Sequence, residues 1–264
     1  MQAKKVIEHI VNWLSDYAAN AKANGFVVGV SGGIDSAVVS TLAAMTGRKT
    51  LVLEMPIRQK EDQVNRAQSH IEFLKSKFPN VEEFRVDLTS AFEMFEKTVD
   101  GYKNDSSNKN LALANTRARF RMLTLYYYGQ INGLLVTGTG NKVEDFGVGF
   151  FTKYGDGGVD ISPIADLYKT QVYEIAKELE ILESIQKAKP TDGLWDIDRT
   201  DEDQMGATYP ELEWAMEQKE NGKSAENFEG REREVMGIFL KLNKATQHKM
   251  NPIPVCEIPK ELKN

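Results

Sequence analysis

The sequence predicts an α/β protein with a parallel, doubly wound sheet flanked by helices and a C-terminal helical extension. Short apolar, β-branched runs alternate with segments of helical periodicity up to residue 181, and the pattern then changes to a long polar stretch followed by two helical segments. Strands that are buried on both faces and joined by helices are typical of parallel sheets. We therefore expect a single domain over 1–264, with an α/β core at about 1–181 and a loop and helical extension at about 182–264.

Each predicted element follows from its own spacing of apolar residues. Short apolar or β-branched runs predict strands at 26–30, 50–55, 81–86 and 134–137, of which the third is the weakest. Apolar positions at helical spacing predict helices at 3–23, 35–45, 60–76, 88–98, 110–131, 168–180, about 209–219 and 228–246. The polar segments 100–110 and 188–208 have no clear period, and we expect them to be functional or mobile loops.

The composition limits the classes of function that the chain can have. Its 264 residues carry a formal net charge of −6, whereas a protein that binds nucleic acid through phosphates usually has a basic surplus. The single cysteine, Cys256, allows neither an intrachain disulfide nor a thiolate zinc site. No apolar run reaches the ~18 residues of a membrane span, and the first residues do not resemble a signal peptide. We expect a cytoplasmic protein that binds small molecules, with neither nucleic acid nor a membrane as partner.

The segment from Ser31 to Ser36, Ser-Gly-Gly-Ile-Asp-Ser, lies between a predicted buried strand and a predicted helix. Glycines leave backbone N–H groups accessible, and a helix N-terminus adds unpaired donors and partial positive charge, so the segment suits a phosphate group. It is neither a Walker A loop nor a dinucleotide-binding G-x-G-x-x-G loop, because the lysine and the glycine spacing are absent. A Gly-Gly pair alone would equally fit a tight turn, with Asp35 capping the helix.

The complete hexapeptide resembles the loop Ser-Gly-Gly-x-Asp-Ser of the N-type ATP pyrophosphatases, enzymes that split ATP between its α and β phosphates. That family includes NAD synthetases, GMP synthetases, asparagine synthetases and some tRNA-modifying enzymes, and the loop alone does not choose among them. The resemblance implies an adenine nucleotide alpha hydrolase-like fold, with ATP bound at the carboxyl ends of the strands.

Further segments are similar to the signatures of NAD synthetases. They are Asn-Thr-Arg-Ala-Arg-Phe-Arg-Met at 115–122, Gly-Thr-Gly-Asn-Lys-Val-Glu at 138–144, Gly-Phe-Phe-Thr-Lys-Tyr-Gly-Asp-Gly-Gly-Val-Asp at 149–160, Pro-Thr-Asp at 190–192 and Thr-Gln-His-Lys at 246–249. This resemblance implies amidation of deamido-NAD. The nicotinate carboxylate attacks the α phosphorus of ATP, pyrophosphate leaves, and ammonia converts the acyl-adenylate into NAD and AMP. The alternatives are another pyrophosphatase-loop ligase, of the GMP-synthetase or tRNA-modifying kind, and a non-catalytic nucleotide-binding module.

The resemblance also implies roles for individual residues. The catalytic residues would be Asp156, which positions or deprotonates ammonia, together with Asp35 and Lys169. Mg²⁺ would be held by Asp35, Thr191 and Glu144, with Asp145 as the alternative to Glu144. ATP, the co-substrate, would be bound by Gly29, Val30, Ser31, Gly32, Gly33, Ile34, Asp35, Ser36, Arg58, Arg119, Thr139, Lys169 and Thr191. Deamido-NAD would be bound by Arg117, Phe150, Phe151, Lys153, Asp160, His248 and Lys249.

Two arginines and the nitrogen source complete these expectations. Arg117 and Arg121 share one face of a predicted helix, so that the pair could reach the diphosphate of the substrate. Glutamine-using relatives carry an additional nitrilase-like domain with a nucleophilic cysteine, for which 264 residues leave no room, so we expect free ammonia as the nitrogen donor. The family is homodimeric, with the substrate cleft at the subunit interface, and the resemblance therefore implies a homodimer.

Overall fold

Four parallel strands form the sheet of the computed structural model, which describes residues 1–101, 108–191, 193–194 and 200–263. The strands are β1 (Gly25–Gly29), β2 (Lys49–Glu54), β3 (Val81–Arg85) and β4 (Leu134–Val136), and they lie in the order β3-β2-β1-β4. Val27 of β1 pairs with Leu51 of β2 on one side and with Val136 of β4 on the other. The predicted parallel sheet is therefore confirmed, with strand bounds that differ from the predicted ones by at most one residue.

The helices of the described residues are α1 (Ala3–Asn20), α2 (Ile34–Met45), α3 (Glu61–Lys77), α4 (Thr89–Val99), α5 (Lys109–Asn132), the π-helix (Val143–Val148), α6 (Lys169–Glu178), α7 (Glu183–Gln186), α8 (Asp201–Met205), α9 (Tyr209–Glu220) and α10 (Gly230–Met250), together with two 3₁₀ turns (Ala225–Asn227 and Lys260–Leu262). All eight predicted helices are present. α1 ends before the predicted residue 23 because Lys22 has a φ of +55°. The short helices α7 and α8 and the π-helix were not predicted, because a few residues do not show a period. None of these helices is long and apolar enough to cross a membrane.

Helices pack on both faces of the sheet. α1, α2 and α6 cover one face, where Leu14, Phe26 and Val38 are fully buried. α4 and α5 cover the opposite face, where Val27 and Phe92 are fully buried. Because both faces are covered, neighbouring residues along β1 and β4 are apolar, which explains the continuous apolar runs there in the sequence. The doubly wound arrangement is therefore confirmed.

β1 lies where the winding of the sheet reverses. The chain runs outward from β1 through α2 and α3 to β3, and it returns through α4 and α5 to β4 on the other side of β1. These connections lie on opposite faces, and in open parallel sheets ligands bind at the carboxyl ends of the strands where the winding reverses, here the ends of β1 and β4. Both glycine-rich segments, 31–34 and 138–158, begin at these strand ends.

The C-terminal helices form a second core on the π-helix. Val143 of the π-helix, Leu212 of α9 and Met236 of α10 are fully buried in this core. Asn243 of α10 donates a hydrogen bond of 2.6 Å to the backbone oxygen of Gly147. The helical extension therefore supports the segment that follows β4 from its outer side.

Two predicted loops extend beyond the described residues. Residues 102–107 of the predicted loop 100–110 lie outside them, as do residues 192 and 195–199 of the predicted loop 188–208. Within the described part of the second loop, α8 forms because the Thr200 side chain accepts a hydrogen bond of 3.1 Å from the backbone N–H of Asp203.

Candidate active site

A cavity of about 270 Å³ opens at the crevice between the ends of β1 and β4. Both glycine-rich segments line it, together with residues of α3, α5 and α6. Many of the residues predicted to bind ligands lie in its wall: Gly29, Val30, Ser31, Gly32, Gly33, Ile34, Asp35, Ser36, Thr139, Glu144, Phe150, Phe151, Asp156, Lys169 and Thr191. Residues that are far apart in the sequence therefore meet in one cleft.

The glycine-rich loop after β1 has a fixed shape at the N-terminus of α2. Gly32 has a φ of +80°, and a Cβ atom there would lie 2.6 Å from the backbone oxygen of Gln63 in α3, so only glycine fits. The backbone N–H of Ser31 donates to Oγ of Ser36 over 3.3 Å, and this hydroxyl donates to the backbone oxygen of Gly33 over 2.9 Å. The first N–H groups of α2 have no intrahelical partner, so the loop and helix together suit a phosphate group.

The ammonium group of Lys169 joins two carboxylates in the cavity wall. Its Nζ atom lies 2.5 Å from Oδ2 of Asp35 and 3.2 Å from Oε1 of Glu144, and Lys169 is only 3% exposed. Burial alone would lower the pKa of Lys169, but the two carboxylates raise it above its ordinary value, so the ammonium is charged. Burial raises the pKa of Asp35, and the ion pair with Lys169 opposes this rise.

Three polar side chains that sequence reasoning missed extend this cluster. The amide of Asn141 donates to Oδ1 of Asp35 over 3.3 Å. The hydroxyl of Tyr209 donates to Oε1 of Glu144 over 2.6 Å and approaches Oδ2 of Asp201 at 3.3 Å. Asn141 lies within the segment Gly-Thr-Gly-Asn-Lys-Val-Glu, so the sequence did contain a signal for it. Tyr209 and Asp201 belong to the C-terminal extension, where no motif points to them.

The oxygen atoms of this cluster fit a hard cation such as Mg²⁺. Asp35 and Glu144 contact the same ammonium group, and Thr191 lines the same cavity. Carboxylate and hydroxyl oxygens are the ligands that Mg²⁺ prefers, and it usually takes its remaining ligands from phosphate and water. In the described part of the chain, no three or more His, Cys, Asp or Glu side chains are arranged to hold a metal by themselves. The donor set therefore fits a cation that is shared with the phosphates of a nucleotide.

Asp145 and Asp156 lie between the main cavity and a smaller one of about 170 Å³, and both residues line the two cavities. Asp145 faces Gly140, where a Cβ atom would lie 2.2 Å from its Oδ1, and burial raises the pKa of Asp145 to about 8, with a further rise from Glu144. The backbone N–H of Thr152 donates to Asp156 over 3.0 Å. The side chain of Asp156 is exposed to solvent, but the protein packed around its carboxyl group desolvates it and raises its pKa to about 6.

The C-terminal helix α10 clamps the segment that follows the π-helix. Nζ of Lys249 donates to the backbone oxygens of Gly149 and Phe151 over 2.8 and 2.7 Å. Nζ of Lys153 donates to the backbone oxygen of His248 over 2.5 Å. Burial lowers the pKa of Lys249, which also lines the smaller cavity. These lysines therefore hold Phe151 in the cavity wall, and direct contact of the lysines with a substrate stays a prediction.

Arg117 and Arg121 share one face of α5, and both donate to protein oxygens. The buried guanidinium of Arg117 donates to the backbone oxygen of Leu194 over 2.8 Å and lies 5.0 Å from the ring centre of Phe92. Arg121 lines the cavity and donates to the backbone oxygen of Met55 over 3.1 Å. The arrangement on the helix is as predicted, whereas the proposed contact with a diphosphate stays a prediction.

Several other predicted binding residues lie outside both cavity walls. Nη2 of Arg58 lies 2.6 Å from Oε2 of Glu96, and Asp160 accepts a hydrogen bond of 2.8 Å from the backbone N–H of Val136. The first contact joins the loop after β2 to α4, and the second holds the end of β4, so a direct role in binding stays a prediction for both residues. The predicted residues that line neither cavity are Arg58, Arg117, Arg119, Lys153, Asp160 and His248.

Comparison with known proteins identifies the family of the chain. The family model described as NAD synthase matches residues 6–253. The chain belongs to the NAD synthase family. The NH(3)-dependent NAD(+) synthetase of Syntrophomonas wolfei is 35% identical over 266 residues, which cover all of both chains. The protein of the same name from Finegoldia magna is 36% identical over 225 residues, or 85% of this chain and 88% of its own.

Solved structures of the family have the same fold along the whole chain. The NMN synthetase from Francisella tularensis has a TM-score of 0.83 at 33% identity, over 98% of this chain and 99% of its own. The NH3-dependent NAD synthetase from Campylobacter jejuni, solved in complex with the nitrate ion, has a TM-score of 0.77 at 24% identity, over 97% and 100%. The expected adenine nucleotide alpha hydrolase-like fold of the family is therefore confirmed.

We predict that Asp145→Asn stabilises this NAD synthase family member in a pH-dependent way. The folded-state pKa of Asp145 is about 8, whereas an unfolded aspartate has a pKa near 3.8. Between these pKa values the folded state binds more protons than the unfolded state, so the folding stability of the wild type falls as pH rises. Asparagine does not ionise, so the variant does not lose stability at this position. The variant should melt within a degree or so of the wild type near pH 4 and about 4 °C or more above it at pH 8.5, as measured by thermal unfolding. Asp16→Asn, at an exposed position of α1, is the matched control, and an equal shift at both pH values would contradict the prediction.

Proposed function

We propose that the protein is an ammonia-dependent ligase that amidates deamido-NAD and converts ATP into AMP and pyrophosphate. The observation that carries the proposal is the meeting of the loop after β1 with the segment after β4 around the ammonium group of Lys169. Membership of the NAD synthase family supports the same reaction. So do the relatives named NH(3)-dependent NAD(+) synthetase, which this chain resembles over most of their length.

The first half of the reaction activates the nicotinate carboxylate. One of its oxygens attacks the α phosphorus of ATP, the bond to the β phosphate breaks, and pyrophosphate leaves. An unactivated carboxylate would have to expel oxide, whereas the acyl-adenylate expels AMP. The loop after β1 and the N-terminus of α2 bind the departing pyrophosphate with backbone N–H groups, and Lys169 lowers the repulsion between the pyrophosphate and the carboxylates of Asp35 and Glu144. Binding both reactants in one cleft keeps the attacking oxygen and the leaving group in line.

Asp35, Glu144 and Thr191 are the residues that would hold Mg²⁺. When bound, the cation would supply positive charge that offsets the negative charge of the ATP phosphates. The hydrogen bonds from Lys169 and Tyr209 orient Glu144, and those from Lys169 and Asn141 orient Asp35. Oriented carboxylates do not need to be reorganised when the nucleotide enters, which favours transition-state stabilisation.

Asp156 is the base that deprotonates ammonium in this proposal. Ammonium has no lone pair, so it must lose a proton before its nitrogen attacks the acyl carbon. A pKa of about 6 leaves Asp156 ionised at neutral pH and makes it a stronger base than an ordinary aspartate. The smaller cavity, which has Asp145 and Asp156 in its wall, is the route by which ammonium reaches this base.

An assay with ATP, Mg²⁺, ammonium and deamido-NAD tests the proposal directly. We expect NAD and AMP in equal amounts, separated and quantified by chromatography, and no product when glutamine replaces ammonium. Nicotinate mononucleotide is the second substrate to be tested, because the Francisella tularensis protein that this chain resembles is named NMN synthetase. Faster turnover of the mononucleotide would change the substrate but keep the ligase chemistry, whereas no AMP from either substrate would refute the proposal.

We predict that Asp156→Asn lowers turnover by at least about a hundredfold at saturating ammonium, since the amide cannot accept the proton. The dissociation constant of ATP should stay unchanged, because Asp156 lies outside the phosphate loop. The wild-type rate should also fall as pH decreases through about 6, where the carboxyl group becomes protonated. Asp166→Asn, at a side chain that is 99% exposed, is the matched control and should keep full activity. Equal turnover in Asp156→Asn and wild type would remove this residue from the mechanism.

We also propose that two copies of the chain associate through an exposed apolar stripe on α5. Leu123, Tyr127 and Ile131 are spaced four residues apart on this helix, and each is at least 60% exposed. A contiguous apolar surface of this kind is typical of protein interfaces. The same helix contributes Arg121 and Met122 to the cavity wall, so association at this stripe would place the interface next to the site.

The double substitution Tyr127→Glu and Ile131→Glu should convert a dimer into a monomer, because two charges would be buried at the interface. Light scattering at micromolar concentration measures the mass. Met94→Glu, at a 65% exposed residue of α4, is the control and should leave the mass unchanged. A wild-type protein with the mass of one chain would contradict the dimer.

A further inference from the structure

Glu54 ends β2 with its carboxylate buried in the wall of the main cavity. The residue is 3% exposed and lines the cavity next to Met55. It lies on the same face of the sheet as Val52, which packs in the cluster that contains Ala67 of α3. Neither the phosphate loop nor the ionic cluster around Lys169 uses this carboxylate.

Among the residues that the structure describes, none forms a hydrogen bond with either carboxylate oxygen of Glu54. Its charged neighbour is Arg85 on β3, whose Nη1 atom lies 3.4 Å from Oε2 and whose side chain is 49% exposed. Burial raises the pKa of Glu54, and Arg85 offsets only part of the rise. Buried polar groups in folded proteins nearly always have hydrogen-bond partners, and a buried carboxylate without them is costly. A ligand that donates a hydrogen bond to Glu54 would remove this cost.

The position of Glu54 limits which part of a ligand it meets. An ionised carboxylate repels phosphate unless a bound cation lies between them, as proposed for Asp35 and Glu144, and Glu54 is not among the residues proposed to hold that cation. The loop that suits phosphate follows β1, one strand away from β2. The triphosphate and Glu54 therefore occupy different parts of the same cavity, and Glu54 meets the nucleoside half of ATP.

The main cavity, which Glu54 lines, also has an apolar part that suits a purine base. A Cβ atom at Gly29 would lie 3.1 Å from Cε of Met55 and 3.7 Å from Cδ1 of Leu125, so these two apolar side chains meet at the end of β1. Val64 and Met122 also line the cavity. An apolar slot with one buried acceptor fits a flat heterocycle that carries a hydrogen-bond donor at its edge. In adenine that donor is the 6-amino group.

We propose that Glu54 is a specificity-determining residue that accepts a hydrogen bond from the 6-amino group of adenine. The proposal rests on ATP as the co-substrate and adds recognition of the base to recognition of the phosphates. A purine with a 6-oxo group would place an acceptor against the carboxylate, so Glu54 selects ATP over GTP by repulsion as well as by attraction. The 2′ and 3′ hydroxyls of the ribose are the competing donors.

Purine riboside triphosphate is the probe, because it differs from ATP only in lacking the 6-amino group. The wild type should use it with a kcat/KM about tenfold to a hundredfold below that of ATP, the range for a hydrogen bond to a buried charged group. In Glu54→Met, which replaces the acceptor with an apolar side chain of similar length, the two nucleotides should be used about equally. The preference for ATP over its 2′-deoxy and 3′-deoxy analogues should be the same in both proteins.

Glu83→Met is the matched control. Glu83 lies on β3, outside both cavity walls, and its carboxylate pairs with Lys75 at 3.0 Å. This variant makes the same chemical change on the neighbouring strand, so it should keep the wild-type preference for ATP over purine riboside triphosphate. Circular dichroism verifies the fold of each variant. If Glu54→Met folds poorly, Glu54→Gln supports the same comparison. Its preference for ATP over purine riboside triphosphate should decrease less than in Glu54→Met, because the amide oxygen still accepts a hydrogen bond, although more weakly than a carboxylate.

Two outcomes overturn the assignment. If the wild type uses purine riboside triphosphate as well as ATP, or Glu54→Met keeps the full preference, then Glu54 does not contact the amino group. If Glu54→Met instead loses its discrimination against a deoxy analogue, the partner is the ribose and the assignment to the base is wrong. A wild type that forms no AMP would refute the proposed function instead. In that case the ratio of the dissociation constants of ATP and purine riboside triphosphate, measured by titration calorimetry, still tests the role of Glu54 without turnover.

Discussion

The charge of Lys169 is the interaction on which the rest of the site depends. Burying an ammonium group costs several kcal/mol unless carboxylates and hydrogen bonds compensate, and here Asp35 and Glu144 provide the compensation. Conversely, the two acids would repel each other in the same wall without the lysine. Because the three groups belong to α2, the π-helix and α6, their mutual requirement fixes how these elements pack around the end of β1. The phosphate loop joins β1 to α2, so its position depends on this arrangement.

The sequence predicted the sheet and eight helices because their apolar residues recur over many positions. The π-helix Val143–Val148 gave no such signal, since its six residues form part of a polar motif and acquire their conformation by packing under α9 and α10. The helix α8 depends on a cap between Thr200 and Asp203, which is a local contact inside an otherwise aperiodic stretch. Tertiary packing and capping therefore account for the elements that periodicity could not predict.

The residues of the candidate site also fall into two groups, those that sequence motifs identify and those that only tertiary contacts bring to the site. Ser31, Asp35 and Asp156 belong to contiguous motifs, and the fold brings them to one cavity. Tyr209 joins the site only because α9 folds back onto the π-helix, so no local pattern could identify it. Glu54 looks in the sequence like a solvated acid at the end of a strand, and only its burial distinguishes it. Single residues that reach a site through tertiary contacts are therefore the ones that sequence patterns miss.

The clamp formed by α10 has a consequence for the order of events during synthesis. Lys249 lies about a hundred residues after Gly149 and Phe151, whose backbone oxygens it holds in the cavity wall. A ribosome adds ~5–20 residues per second and releases the N-terminal parts of a chain first, so the sheet can fold while α10 is still being made. The wall of the cavity is thus completed only after α10 has been made. A chain with a finished sheet but without α10 therefore lacks the two hydrogen bonds that hold Gly149 and Phe151 in the cavity wall.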